Sequence, residues 1–409
     1  MSSAENHGAE NGHERAWAIF LIFLRLGLTS FGGPIAHLAY FRGEFVLRRA
    51  WLGEHAYADL VALCQFLPGP GSSKVAFSLG VLRGKGLRGG LAASAGFTLP
   101  SALLLFAFAL GSAAFTGPVA QGFVHGLKLV AVAVVAQAVW GMARTLAPDR
   151  ARAAIALAAI AVVVMFPGPL AQIAAIALGA CAGLLLCPAP GAALTGHLDL
   201  PISRRGGAIA IALFIALLLL PPFAATATGL QGIALFDAFY RSGAFVFGGG
   251  HVVLPLLQAE VVAPGWVSNQ AFLAGYGIAQ AVPGPLFTFA AYLGALSGPA
   301  PNGAAGATIA LLALFLPGLL LVYGVLPFWD ALRGRPAAQA GMRGANAAVV
   351  GILGAALYDP VWTGAVLAPR DFFLALLGFL LLTLWKTAPW IVVALLAAAG
   401  TLTGFYTAA

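Results

Sequence analysis

Runs of about 20 apolar residues recur along this chain, among them Leu91–Leu110, Val124–Met142 and Ile209–Phe223. At about 1.5 Å per residue each is long enough to cross a hydrocarbon core of about 30 Å. Inside a bilayer no water satisfies the backbone, so a crossing segment must be a helix or part of a closed barrel. The runs are continuous and do not alternate, which argues against a barrel. Composition agrees: 61% of residues are hydrophobic and 8% are charged, against about 25% charged in a soluble domain. The expected fold class is an all-α, polytopic membrane protein. Residues 1–15, "MSSAENHGAENGHER", are polar and lack the basic region of a signal peptide. They read as a disordered tail, and Trp17 opens the membrane part.

The chain repeats itself. "FLRLGLTSFGGP" (Phe23–Pro34) aligns with "FYRSGAFVFGGG" (Phe239–Gly250), so that Arg25 falls on Arg241 and Phe31-Gly32-Gly33 on Phe247-Gly248-Gly249. Further on, Glu44 falls on Glu260, Trp51 on Trp266 and Gln65 on Gln280. Pro68-Gly69-Pro70 then matches Pro283-Gly284-Pro285, and Leu99-Pro100 matches Leu316-Pro317. Lys128 meets Asn346, a polar position kept without its charge. The order is preserved with gaps of one or two residues, which marks a duplication. The expected division is 1–15 tail, 16–223 first repeat and 224–409 second repeat.

Charge separates the halves. Between Phe41 and Gly90 lie Arg42, Arg48, Arg49, Lys74, Arg83, Lys85 and Arg88, whereas no Lys or Arg occurs between Arg241 and Arg333. Basic loops stay cytoplasmic, so matching loops face opposite sides and the repeats are inverted. The net charge of +8 is explained by these loops and calls for no nucleic acid. Inverted repeats place a substrate site at their interface, lined by broken helices. The breaks are expected where proline removes a donor and glycine supplies unusual dihedrals. With basic loops on both flanks, segment 55–82 is expected to enter and return, its tip at "LPGPGSS", and the first segment to do so at Ser30–Pro34, with a full crossing by these broken segments as the alternative. Spans are expected near 91–110, 122–142, 153–166, 170–187 and 207–223. The N-terminus falls inside the cell, the C-terminus outside, in an inner, plasma-type membrane.

A helix broken at mid-membrane presents bare N–H donors and a partial positive charge, which suits an anion. After Pro70 come Gly71, Ser72, Ser73 and Lys74, two hydroxyls and a cation; the second tip continues Leu286-Phe287-Thr288 and is more apolar. The first tip is therefore expected to make more polar contacts. Arg25 and Arg241 recur just before each glycine break. One such arginine would be read as snorkelling, but recurrence favours a site, and the forked guanidinium fits an oxyanion. Gln65 and Gln280 precede the proline motifs and would bind a ligand or tie down the broken backbone. Glu44, Glu260 and His37 are candidate proton carriers, each with a plain structural alternative.

Enzyme readings fail on residues. "GPGSSK" lacks the Gly before Lys and the Ser/Thr after it that a P-loop needs. His13-Glu14 lacks the second histidine of a zinc-protease helix, and Cys64, Cys181 and Cys187 have no metal spacing. Neither a cofactor nor a metal is expected.

The paired motifs "FGGP", "FGGGH" and "PGP" after Gln resemble those of the chromate ion transporter (CHR) family, in its long two-domain form, from about Phe20 to Gly404. The resemblance implies a membrane protein that exports chromate, drives it by protons or potential, and confers chromate resistance. Its motif positions fall on Phe31, Gly32, Gly33, Pro34, Gln65, Pro68, Gly69, Pro70 and Gly71, and on Gly248, Gly249, Gly250, His251, Gln280, Pro283, Gly284 and Pro285. The residues alone reach "anion"; sulfate or another oxyanion is the alternative substrate. The partners expected are the oxyanion and the lipid bilayer, with protons as coupling ion and a second copy of the chain as further candidates.

Overall fold

A computed structural model describes residues 14–112, 117–166, 168–187, 202–247, 250–329 and 335–408, which form helices and turns with no strand among them. The first half contains α1 (Ala16–Thr29), α2 (Gly33–Phe41) with a π-helical continuation Arg42–Arg48, α3 (Glu54–Phe66), α4 (Gly71–Arg83), α5 (Leu87–Ser112), α6 (Pro118–Leu146), α7 (Arg150–Met165) and α8 (Pro169–Leu186). A linking helix, α9 (Arg204–Thr228), follows. The second half repeats the plan as α10 (Gln231–Ala244), α11 (Val253–Leu257) with a π-helical continuation Gln258–Val262, α12 (Asn269–Ala279), α13 (Phe289–Leu296), α14 (Gly303–Val325), α15 (Pro336–Ala356), α16 (Pro369–Thr383) and α17 (Pro389–Ala408). Even the π-helical stretch is duplicated; it carries Glu44 in one half and Glu260 in the other.

Helix length sorts these elements. The 26 residues of α5 and 29 of α6 reach about 39 and 44 Å, enough to cross a membrane; α1 has 14 residues and reaches only about 21 Å. The short helices pair as hairpins. Phe23 of α1 stacks on Phe45 at 5.0 Å, although a continuous helix would hold them about 33 Å apart. Likewise Cys64 of α3 lies 4.0 Å from Ser78 of α4, and the Tyr292 hydroxyl of α13 donates to the Ala271 carbonyl of α12 at 3.0 Å. The chain reverses where the sequence places glycine: φ is +100° and +77° at Gly32 and Gly33, +99° at Gly69 and +98° at Gly284, values that L side chains rarely adopt.

The two halves run in opposite directions. Glu14 reaches Arg83 at 3.7 Å, so α1 enters beside the start of α5. In the second half, α10 starts beside Pro301, just ahead of α14. Going along α14, Gly318 meets the Gly69–Pro70 tip and Tyr323 packs on Phe77 of α4. Thus α14 finishes toward the end where α5 begins, and the repeats are inverted as the charges predict.

They are also interlocked. The α7–α8 pair packs on α15, and α16 and α17 pack on α6. Close approach comes from glycine: Gly122 and Gly126 of α6 sit against the Gly400 and Leu396 carbonyls of α17, and Gly183 of α8 against Gly344 of α15. Small residues do this between membrane helices because dispersion contact, not water exclusion, drives their packing. The Gly69 N–H donates to the Val246 carbonyl at 2.7 Å, and the Gly284 N–H to the Ser30 carbonyl at 2.9 Å. Ser30 and Val246 are equivalent positions, so each proline-glycine tip is bonded to the other half's break. Outside, Leu157, Val164, Leu178, Leu185 and Leu219 stand exposed, a surface suited to hydrocarbon. The loop before α7 is polar: Asp149 accepts the Arg152 backbone N–H at 2.9 Å and its guanidinium at 2.6 Å. These bonds hold its carboxyl below the usual carboxylate range.

A β-carbon at Gly69 would lie 2.9 Å from the Gly318 Cα, in a conformation costing about 1–2 kcal/mol for an L residue. Gly69→Ala is therefore expected to lower the melting temperature of the purified protein by several degrees. Gly141→Ala, on a helix face open to its surroundings, is expected to leave it unchanged or raise it.

Candidate functional site

The breaks of the two halves meet around a cavity of about 300 Å³. Its lining joins Gly32, Gly33 and Pro34 from the first half to His251, Gln280 and Gly284 from the second. The cavity thus pairs the glycine break of one repeat with the proline-glycine tip of the other. Gly32 caps α2, whose first N–H groups have no helical partner. Gln280 donates to the Tyr276 carbonyl at 3.3 Å, which leaves its second amide N–H for other partners. His251 is held through Nδ1 by the Tyr276 hydroxyl at 2.6 Å. Pro283 and Pro285 are buried on either side of Gly284, and Gly250 packs against Pro34. Gly248 and Gly249 lie outside the described residues.

The other tip is arranged differently. Lys74 is fully buried, and its ammonium donates to the Leu67 carbonyl and to the Pro68 carbonyl at 2.9 Å. The cation expected to meet a ligand instead caps the backbone of its own turn. Ser72 bonds His37 Nδ1 at 3.2 Å, and His37 Nε2 reaches the Ser30 carbonyl at 3.2 Å. A carbonyl only accepts, so the network assigns the proton to Nε2 and makes Ser72 the donor to Nδ1. His37 therefore pins the first break to α4. Ser73 is buried beside it, and Gln65 lies over Gly71 at the start of α4. None of Gln65, Pro68, Gly69, Pro70, Gly71, Ser72, Ser73 and Lys74 lines the cavity. The more polar tip uses its polarity internally.

The recurring charges also separate. Arg25 is exposed on α1. Glu44 instead pairs with Arg48 and, at 2.6 Å, with Arg49. Arg241 bridges Asp237 at 2.8 Å and Glu260 at 3.2 Å. Neither arginine reaches the cavity. Arg241 is occupied in balancing two largely buried carboxylates.

Sequence reasoning also missed Val134 and Gln137 of α6, and Lys386, Thr387 and Pro389 at the α16–α17 turn, all of which line the cavity. Gln137 donates to the Leu382 carbonyl at 3.2 Å. A signal existed: Lys386 is the only Lys or Arg after Arg370, and Gln137 interrupts an apolar span. No carboxylate occurs among the described lining residues. The cavity offers amide N–H groups, a histidine, a hydroxyl and an ammonium, a set suited to an anion.

Removing one partner of a buried ion network costs about 3–5 kcal/mol. Arg241→Gln is therefore expected to depress folded yield and melting temperature strongly, with Arg241→Gln/Asp237→Asn recovering part of the loss. Arg25→Gln is expected to change stability by less than about 0.5 kcal/mol. Thermal unfolding of the purified variants checks all three.

No solved structure matches the chain. A family model described as chromate transporter matches residues 17–184 and again 233–401. A chromate transport protein of Pseudomonas aeruginosa is 30% identical over 93% of this chain and 90% of its own. A probable chromate transport protein of Synechococcus elongatus is 28% identical over 82% of each chain. Another chromate transport protein, from Cupriavidus metallidurans, is 26% identical over 82% of this chain and 80% of its own. With both repeats matched in order, and with an anion-suited cavity between them, this chain belongs to the chromate transporter family.

Proposed function

We propose that this protein is a secondary transporter that carries chromate out of the cytoplasm, the dianion resting in the cavity between the repeats. The observation that carries this reading is the lining: donors from both breaks, a cation at the rim and no carboxylate among the described residues. The substrate's identity comes from the curated relatives, which are named as chromate transport proteins. A tetrahedral dianion is bound by N–H groups arranged around it, and the start of α2 adds the positive end of its peptide dipoles.

Sidedness follows from α6. This helix starts opposite the basic Arg83–Arg88 turn, because α5 crosses once in between, and it ends near Arg144, Arg150 and Arg152. Basic loops are cytoplasmic. Gln137, Leu382 and Lys386 lie toward that end, so the cavity opens to the cytoplasm and the C-terminus is outside. The hairpins α1–α2 and α3–α4 then enter from the cytoplasm and return to it. Rocking of one interlocked repeat against the other would close this mouth and open the opposite one, which is alternating access. Export is downhill electrically: a dianion leaving a negative interior releases about 4.6 kcal/mol per 100 mV. Voltage alone suffices, and protons are not required.

Inside-out vesicles test this directly. Labelled chromate is expected to accumulate when an interior-positive potential is imposed, with sulfate as competitor measuring selectivity. A pH gradient applied separately reports any proton coupling. Gln280→Ala and Lys386→Gln are each expected to raise the KM for chromate about tenfold, the loss of one hydrogen bond to a charged group. Folded protein that accumulates no more than empty vesicles would sink the reading.

A further inference from the structure

A second cavity, of about 470 Å³, lies at the other end of the same four helices. It is lined by His125 and Lys128 of α6, Gln270 of α12, Arg370 and Asp371 of α16, and Thr403 of α17. The first cavity takes the opposite end of each: Val134 and Gln137 of α6, Ala279 of α12, Leu382 of α16 and Pro389 of α17. Along α6, Lys128 and Val134 are separated by about 9 Å. The interval is shut by close packing: Leu129 to Ala133 of α6 are buried, and Gly378 of α16 lies against Ala133 and against Val392 and Leu396 of α17. Two polar cavities therefore face opposite sides of the protein on one line, with a thin plug between them.

Charge in the second cavity favours an anion. Lys128 is 9% exposed, and its ammonium, with three donors, reaches the Gly364 carbonyl at 3.3 Å. Arg370 stands at the rim. The one carboxylate there, Asp371, is already engaged. One oxygen pairs with His125 at 2.9 Å, and the other accepts the Leu367 and Ala368 N–H groups at 3.0 Å each. Asp371 thereby braces His125 and the start of α16 and also lies 4.0 Å from the Arg370 guanidinium; the two cations, Lys128 and Arg370, still outnumber this single carboxylate. An ammonium this deep in a membrane protein is costly unless it serves a path or a partner, and a low-dielectric cleft focuses its field.

We infer that this cavity is a second site for a tetrahedral oxyanion dianion, the exit station opposite the cytoplasmic mouth, with Lys128 as its principal binding group. This deepens the transport reading above and rests on it for the direction of travel. The occupant moves from one cavity to the other when the plug around Ala133 and Gly378 opens.

The test has two arms. Thr403→Cys, on a Cys181→Ser background, places a thiol in the cavity wall of the full-length protein. Its labelling by a membrane-impermeant maleimide is followed with and without sulfate, which has the shape and charge of chromate and does not oxidise thiols. Sulfate is expected to slow labelling about tenfold, and adding Lys128→Gln to abolish that protection, whereas Lys128→Arg keeps it. Should Lys128→Gln fail to fold, Arg370→Gln at the rim is expected to weaken protection. Labelling indifferent to sulfate in the Lys128-containing protein would overturn the site. In the second arm, Lys128→Gln should raise the KM for chromate offered in right-side-out vesicles about tenfold and leave it unchanged in inside-out vesicles. An equal change on both faces would reduce Lys128 to a structural role. If the wild-type protein moves no chromate, the export reading fails, while the protection assay still decides the second site.

Discussion

The Gly69 N–H reaches the Val246 carbonyl and the Gly284 N–H reaches the Ser30 carbonyl; most of the molecule's organisation depends on this crossed pair. A helix that stops inside a membrane protein leaves backbone groups bare, and in a low-dielectric interior each is expensive. Here each half supplies what the other lacks. The tip of one repeat offers a donor and the break of the other offers an acceptor, and the exchange runs both ways. Neither half could leave its breaks in place alone. The packing of α16 and α17 on α6, and of α7 and α8 on α15, completes the interlock.

The exchange is symmetric, but what surrounds it is not. At the first tip, the Lys74 ammonium fills the space and caps two carbonyls of its own turn, while His37 and Ser72 take up further polar groups. The second tip has an apolar sequence with no side-chain cation of its own, and the cavity opens there. A charge that reads as a ligand group in the sequence therefore acts as an internal support, and the quieter tip is the one beside open space. The arginines diverge in the same way. Arg241 is committed to Asp237 and Glu260, whereas Arg25 has moved to the surface of α1. Duplication preserved the positions, and later divergence assigned them separate physical tasks.

Helix α6 is the axis along which these features align. Both cavities draw on it, as they do on α12, α16 and α17, and its contacts with α17 are made by glycine on both sides. Interfaces of this kind bring backbones close without interdigitating large side chains, so small shear between helices disturbs few contacts. The crossed hydrogen bonds hold the breaks, and the glycine-lined α6 interface is one that small shear would disturb little.

How much of this was legible beforehand can be argued from particular residues. The apolar runs, the repeated FGG and PGP motifs and the one-sided arginines determined an all-helical membrane protein of two inverted repeats, because hydrophobic length, backbone chemistry and loop charge are local properties. The participation of Gly32–Pro34, His251, Gln280 and Gly284 in one cavity was also within reach, since broken backbone marks itself by residue type. Tertiary structure decided the rest. Only the fold shows that Lys74 turns back on its own loop, that Arg25 faces outward, and that Gln137 and Lys386, far from any motif, line the cavity. Such facts depend on which side chains meet across distant segments, and a helix bearing a single polar group gives no sign of which face that group will occupy until its neighbours are packed.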